Sequence, residues 1–143
     1  MRNHSVKELI ATYGKLSAIL GVNNLVIIGG LAIKFLCYGK RRVNDIDVTY
    51  TKRKTAKLFD TRKGVLAKSG FKVVRFGRSD KFRLIDKENA VGVDFSSRRW
   101  SGRYKKFTLA TSKIKRVRLG NMTIKLNLAS PEVLFLLKSV SLD

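Results

Sequence analysis

The spacing of apolar residues divides the chain into helices and strands. Leu9, Tyr13 and neighbouring apolar residues recur at helical spacing, and a capping pair, Ser5 with Glu8 three positions later, precedes them. This segment is predicted to be a helix that ends at Gly21. Similar signals predict three further helices, over residues 31–37, 55–68 and 131–140.

Shorter apolar runs are typical of strands. Leu25 to Ile28 is wholly apolar and largely β-branched, which predicts a strand buried on both faces. Further strands are predicted over residues 45–50, 71–76, 82–85, 91–95 and 122–128, with another inside 107–119. The strands over 82–85 and 91–95 are predicted to form a hairpin. Residues 96–106, rich in Gly, Ser and Arg, are predicted to form a loop. These elements predict a two-layer α+β domain with a mixed, twisted sheet and helices packed mainly on one face.

Three aspartates stand out among the predicted strands. Asp45 and Asp47 are two residues apart, so their side chains share one face of their strand. Asp94 lies between Val93 and Phe95 in a later strand. Buried carboxylates without partners are costly, and therefore we expect these three to bind cations. Their oxygens suit two Mg²⁺ or Mn²⁺ ions, which activate an attacking hydroxyl and hold a triphosphate.

A glycine pair, Gly29-Gly30, joins the buried strand to the helix that begins at Leu31. Without side chains, these residues let a phosphate approach backbone N–H groups at the helix N-terminus, where the dipole favours anions. A tight turn is the simpler explanation of such a pair by itself. Its combination with Asp45-x-Asp47 and Asp94 favours a phosphate site.

In these features the chain resembles the DNA polymerase β-like nucleotidyltransferases, and among them the minimal and AbiEii-type members. The resemblance covers about residues 24–140, and its motifs are Gly29-Gly30, a spacer of 14 residues, Asp45-x-Asp47, Asp94, and Ser130-Pro131-Glu132 leading into Leu137-Lys138. It implies that Gly29 and Gly30 hold a nucleoside triphosphate (NTP) and that Asp45 and Asp47 bind two divalent metal ions. It also implies that Asp94 is a further metal ligand and the base for the acceptor hydroxyl. Lys138 corresponds to a lysine that contacts phosphates in some relatives.

The chain departs from that family in two ways. Many relatives have Ser at the position of Gly30, so one hydroxyl contact is missing. Residues 1–143 are expected to form a single domain without the C-terminal helical extension of larger relatives. We therefore expect either an open site or one that a second subunit or partner protein completes.

The charge of the chain points to a polyanionic partner. It has 31 Lys and Arg against 10 Asp and Glu, a formal net charge of +21, which is more than ion-pair networks explain. A basic segment interleaved with aromatic residues suits a nucleic acid, and its candidate contacts are Arg98, Arg99, Trp100, Arg103, Tyr104, Lys105 and Lys106. A solvated loop with Trp100 packed on the core fits equally well. Lys40 and Arg41 are candidates for triphosphate contacts, with a solvated turn as the alternative.

Together these patterns predict a nucleotidyltransferase that moves a nucleoside monophosphate from an NTP to an acceptor and releases pyrophosphate. Polycationic acceptors such as aminoglycosides would be repelled. RNA is favoured instead, such as the tRNA ends that toxin-like AbiEii relatives of toxin-antitoxin systems modify. A partner protein is the alternative acceptor, and a non-catalytic nucleic-acid-binding module is the alternative function. The single Cys37 and the lack of a signal peptide or membrane-length apolar run predict a cytoplasmic protein with no membrane partner.

Overall fold

A computed structural model describes residues 5–37, 42–50, 55–75, 82–95 and 103–141. In these ranges the helices are α1 (Val6–Leu20), α2 (Gly30–Cys37), α3 (Thr55–Lys68), α4 (Arg103–Thr111) and α5 (Pro131–Ser141). The strands are β1 (Leu25–Ile28), β2 (Asp45–Tyr50), β3 (Phe71–Arg75), β4 (Phe82–Asp86), β5 (Val91–Phe95), β6 (Lys113–Leu119) and β7 (Met122–Leu128). Across this described part of the chain, no helix has the length and apolar character needed to cross a bilayer.

The strands form one mixed sheet in the order β3-β4-β5-β2-β1-β7-β6. β2 lies at its centre, antiparallel to β1 and parallel to β5. β4 and β5 form the antiparallel hairpin that the sequence predicted, and β1 runs parallel to β7. The predicted α+β class with a mixed sheet is therefore confirmed, and the strands that carry the aspartates are neighbours.

Helix α1 anchors the sheet through apolar burial and one tyrosine. The predicted capping box is present, since the Glu8 amide donates to the Ser5 hydroxyl and the Ser5 amide donates to the Glu8 carboxylate. The Tyr13 hydroxyl is buried, donates to the Leu25 carbonyl at 2.6 Å and accepts from the Asn127 amide at 3.3 Å. It thereby ties α1 to β1 and β7 at the centre of the core.

A buried carboxylate ties α1 to the β4–β5 hairpin. Asp86 is inaccessible to solvent and accepts hydrogen bonds from Thr12 Oγ1 at 2.7 Å, Lys15 Nζ at 2.7 Å and Asn89 Nδ2 at 2.9 Å. Burial alone would raise the pKa of Asp86, but the bonds from Lys15, Thr12 and Asn89 outweigh it and hold that pKa below its usual value. The network fixes the hairpin whose two strands carry part of the candidate site.

Helix α4 corrects the sequence prediction. Residues 103–106 were expected in a loop, but Arg103–Thr111 is helical. The strand expected inside 107–119 is present as Lys113–Leu119. The segment has few helix signals of its own, and its apolar side chains Phe107 and Leu109 remain largely exposed. Its contacts are tertiary, because Thr108 is buried and Thr111 Oγ1 accepts a hydrogen bond from the α5 N-cap. Contacts with distant segments do not appear as a helical spacing of apolar residues, so the sequence of α4 did not predict the helix.

Candidate active site

The three predicted aspartates lie on one face of adjacent strands. In the parallel pair of β2 and β5, Asp47 is opposite Asp94, and Asp45 is opposite Gly92. Residues that are opposite each other on neighbouring strands share a face, as do residues two apart along one strand. The structure therefore brings together the carboxylates of Asp45, Asp47 and Asp94.

The glycine pair lies against the second of these carboxylates. Gly29 has φ of +81°, a conformation that favours glycine, and its carbonyl accepts the Ile33 amide in the first turn of α2. A β-carbon at Gly29 would lie only 2.7 Å from Asp47 Oδ2. At Gly30 a β-carbon would meet Val43 at an ordinary 3.6 Å. Gly29 is thus the glycine required for the close approach of the α2 N-terminus to Asp47.

Arg83 lies between two of the aspartates, and the sequence interpretation did not identify it. Its Nη2 donates to Asp45 Oδ1 at 2.9 Å, and its Nη1 lies 3.2 Å from both carboxylate oxygens of Asp94. The guanidinium passes directly over Gly92, where any β-carbon would overlap it. The predicted hairpin could have identified Arg83, because counting residues back from its turn on both strands places Arg83 opposite Asp94.

The site is short of positive charge even with Arg83 in place. Burial, followed by repulsion from Asp94 and Asp45, raises the pKa of Asp47 to about 6, although Arg83 acts in the opposite direction. Burial also raises the pKa of Asp94, against the opposing attraction of Arg83. When all are ionised, three carboxylates and one guanidinium leave a net charge of −2. A further cation would stabilise this group.

The donor set fits Mg²⁺ or Mn²⁺ in its chemistry. Asp45, Asp47 and Asp94 offer only carboxylate oxygens, which these hard ions prefer. Asp45 and Asp94 are bonded to Arg83, however, and the described segments contain no cluster of three or more His, Cys, Asp or Glu side chains already set to hold an ion. Asp45, Asp47 and Asp94 would be the ligands once the guanidinium has moved.

Most of the other predicted contact residues lie outside the described residues or have side chains that the structure does not describe. Lys40, Arg41, Arg98, Arg99 and Trp100 lie outside the described residues. Three more belong to helix α4, with side chains that are not described: Arg103, Tyr104 and Lys105. Lys106 is exposed on the same helix. Lys138 belongs to α5, which contacts α2, and its side chain is not described.

Comparison with known proteins supports the fold. No protein-family model matches the chain, and no curated protein matches its sequence. The structure is similar to the crystal structure of an antigenic nucleotidyltransferase-like protein from Paracoccidioides brasiliensis, with a TM-score of 0.63 and 20% sequence identity, over 98% of this chain and 68% of that one. The chain therefore has a nucleotidyltransferase-like fold, as the sequence resemblance implied. The AbiEii-type assignment within that fold stays a prediction.

Proposed function

We propose that this protein is a divalent-metal-dependent nucleotidyltransferase. The observation that carries the proposal is the convergence of Asp45, Asp47 and Asp94 on one sheet face, against the Gly29 turn at the N-terminus of α2. The fold is that of a nucleotidyltransferase-like protein. Carboxylates beside a helix N-terminus that is open to phosphate are the two components this chemistry needs.

Each part of the site has a distinct task in the proposed reaction. Backbone N–H groups in the first turn of α2 bind the triphosphate, with the helix dipole favouring its negative charge. Asp45, Asp47 and Asp94 would hold Mg²⁺ or Mn²⁺, which would supply Lewis-acid activation of the acceptor hydroxyl and neutralise charge on the phosphates. Asp94 accepts the hydroxyl proton, since its carboxylate is 35% exposed and can reach an acceptor that approaches from solvent. The acceptor oxygen then bonds to the α-phosphorus, and the bond from that phosphorus to pyrophosphate breaks.

We propose RNA, such as a tRNA end, as the acceptor. The net charge of +21 attracts a polyanion, and the described surface includes exposed basic side chains at Lys106 on α4 and at Arg116 and Arg118 on β6. Acceptor binding is therefore expected to weaken steeply as the salt concentration rises. A partner protein is the alternative acceptor.

Transfer of label tests the function. The chain is incubated with NTPs labelled at the α-phosphate, with total RNA, and with Mg²⁺ or Mn²⁺. We expect label to enter RNA, and we expect Asp45→Asn and Asp47→Asn to abolish this transfer. Glu88→Gln is the matched control, because Glu88 is an acid whose side chain is 76% exposed in the β4–β5 turn.

Other outcomes identify the alternatives. Label that enters a protein instead of RNA would replace the acceptor but keep the reaction. A non-catalytic nucleic-acid-binding module is the second candidate function, and the bridge from Arg83 to Asp45 and Asp94 favours it, because a guanidinium there substitutes for a metal. That module would show salt-sensitive RNA binding, no label transfer, and no loss of binding in the Asp45→Asn variant.

A further inference from the structure

We propose that Arg83 is a displaceable counter-ion, which competes with the divalent metal for the oxygens of Asp45 and Asp94. This inference rests on the metal site of the proposed function. It adds a positioning residue that holds the carboxylates together when metal is absent and must leave when metal binds. Three observations carry it: which oxygens Arg83 engages, how little holds it in place, and the charge of the group.

The oxygens that Arg83 engages are those that a metal would need. Its Nη1 lies within hydrogen-bond distance of both oxygens of Asp94, and its Nη2 takes one oxygen of Asp45. A guanidinium has only donors, and a metal ion needs the same lone pairs. The two cations also repel each other at such short range. Full ligation of metal by Asp94 therefore requires that the guanidinium withdraws.

Arg83 is held loosely enough to withdraw. The side chain is 27% exposed, and both its carboxylate partners are about one-third exposed, so water can replace the ion pairs. It lies over Gly92, where the lack of a side chain leaves the space that the guanidinium occupies. The long, flexible arginine side chain can shift into solvent without a change in the sheet.

The charge of the group explains why a counter-ion is needed in the metal-free protein. Without Arg83, three carboxylates would face one another across β2 and β5 with no cation among the described side chains bonded to them. With Arg83, the group still has an excess of negative charge, so an incoming divalent ion gains more attraction than the single charge that it displaces. The exchange is therefore favourable, but losing the Arg83 ion pairs offsets part of the gain. The metal affinity of the wild type should be weaker than the carboxylates alone would provide.

Metal binding to matched variants tests the competition. Mn²⁺ affinity is measured by calorimetry and by electron paramagnetic resonance on the full chain, at constant pH and ionic strength and without NTP. Arg83→Gln removes the guanidinium. Gly92→Ala keeps it but forces it aside, because the added β-carbon occupies its position. Arg116→Gln is the control, since it removes one exposed positive charge from β6 at the far edge of the sheet.

The expected results differ among the variants. Arg83→Gln should bind Mn²⁺ roughly tenfold more tightly, since each of two partly exposed ion pairs is worth a factor of about two to five. Gly92→Ala should bind more tightly than wild type by a smaller factor, and Arg116→Gln should stay within roughly twofold of wild type. Circular dichroism checks that each variant is folded, and Gly92→Ala keeps the test valid if Arg83→Gln does not fold.

Two results would overturn the competition while leaving the proposed function intact. One is Mn²⁺ binding by wild type that is unchanged or weakened in Arg83→Gln. The other is tighter binding in Arg83→Gln but not in Gly92→Ala, which would show that the charge matters and the position does not. If neither wild type nor any variant binds Mn²⁺ above the level of an Asp47→Asn variant, the metal site itself is wrong and the proposed function fails with it.

Discussion

Replacing Asp47 with Asn should stabilise the metal-free protein. Asp47 is a proposed metal ligand, and its pKa is raised from the usual 3.8 to about 6 by burial and by its acidic neighbours. An acid with a raised pKa in the folded state binds its proton more tightly there than in the unfolded chain. When the pH is above that pKa, Asp47 is ionised, and its buried negative charge destabilises the folded protein. Asn at this position carries no charge and avoids this cost.

The size of this effect follows from the shift. One pKa unit corresponds to about 1.4 kcal/mol, so the shift sets an upper limit of about 3 kcal/mol. Because Asp47 is only partly shielded from water and shares its charge interactions with Asp45 and Asp94, we expect the free energy of unfolding to rise by about 1–2 kcal/mol. Wild-type stability should fall as the pH rises from about 4 through about 6, and the advantage of the variant should be complete above that range.

Urea denaturation with EDTA present, followed by circular dichroism at several pH values, measures this difference. Glu88→Gln is a surface control and should change the free energy of unfolding by less than about 0.5 kcal/mol. Added Mn²⁺ should stabilise wild type but not Asp47→Asn. The reasoning is refuted if Asp47→Asn is no more stable than wild type at neutral pH, or if its advantage is the same at pH about 4.

Three further outcomes are expected. Gly29→Ala should lower the free energy of unfolding in urea by about 1–2 kcal/mol or more, because φ is +81° and the new β-carbon would meet Asp47. Gly30→Ala is the control and should change that free energy little, so equal effects of the two variants would contradict the geometry. Thr12→Val should lower it by about 1–3 kcal/mol by removing a donor from buried Asp86, whereas Thr12→Ser should restore most of that loss. Because the pKa of Asp86 is held low in the folded protein, ionised Asp86 should stabilise the fold above about pH 4, and this stabilisation should be lost as the pH falls through that lowered pKa. The free energy of unfolding of Asp86→Asn should therefore fall less steeply with decreasing pH than that of wild type.

Local pattern was sufficient for most of the helices and strands. The capping pair at Ser5, the apolar run of β1 and the Pro131 start of α5 were all predicted, and each forms as expected. Each of these signals lies within a few residues and reflects local physics: a satisfied helix end, a strand buried on both faces, a fixed proline φ. The pairing of the aspartates on one strand face was visible in the sequence for the same reason.

Tertiary structure alone decided the formation of helix α4 and the contacts of those aspartates. Helix α4 forms through burial of Thr108 and a bond to the α5 N-cap, neither of which is written into its own segment. Arg83 reaches Asp45 across 38 residues of chain because β5 lies between β4 and β2 and contributes Gly92 at the crossing point. Sequence alone indicated that the carboxylates need a cation, since their charge is a local property. Which cation they contact depends on strand order and register, which arise only when distant segments pair.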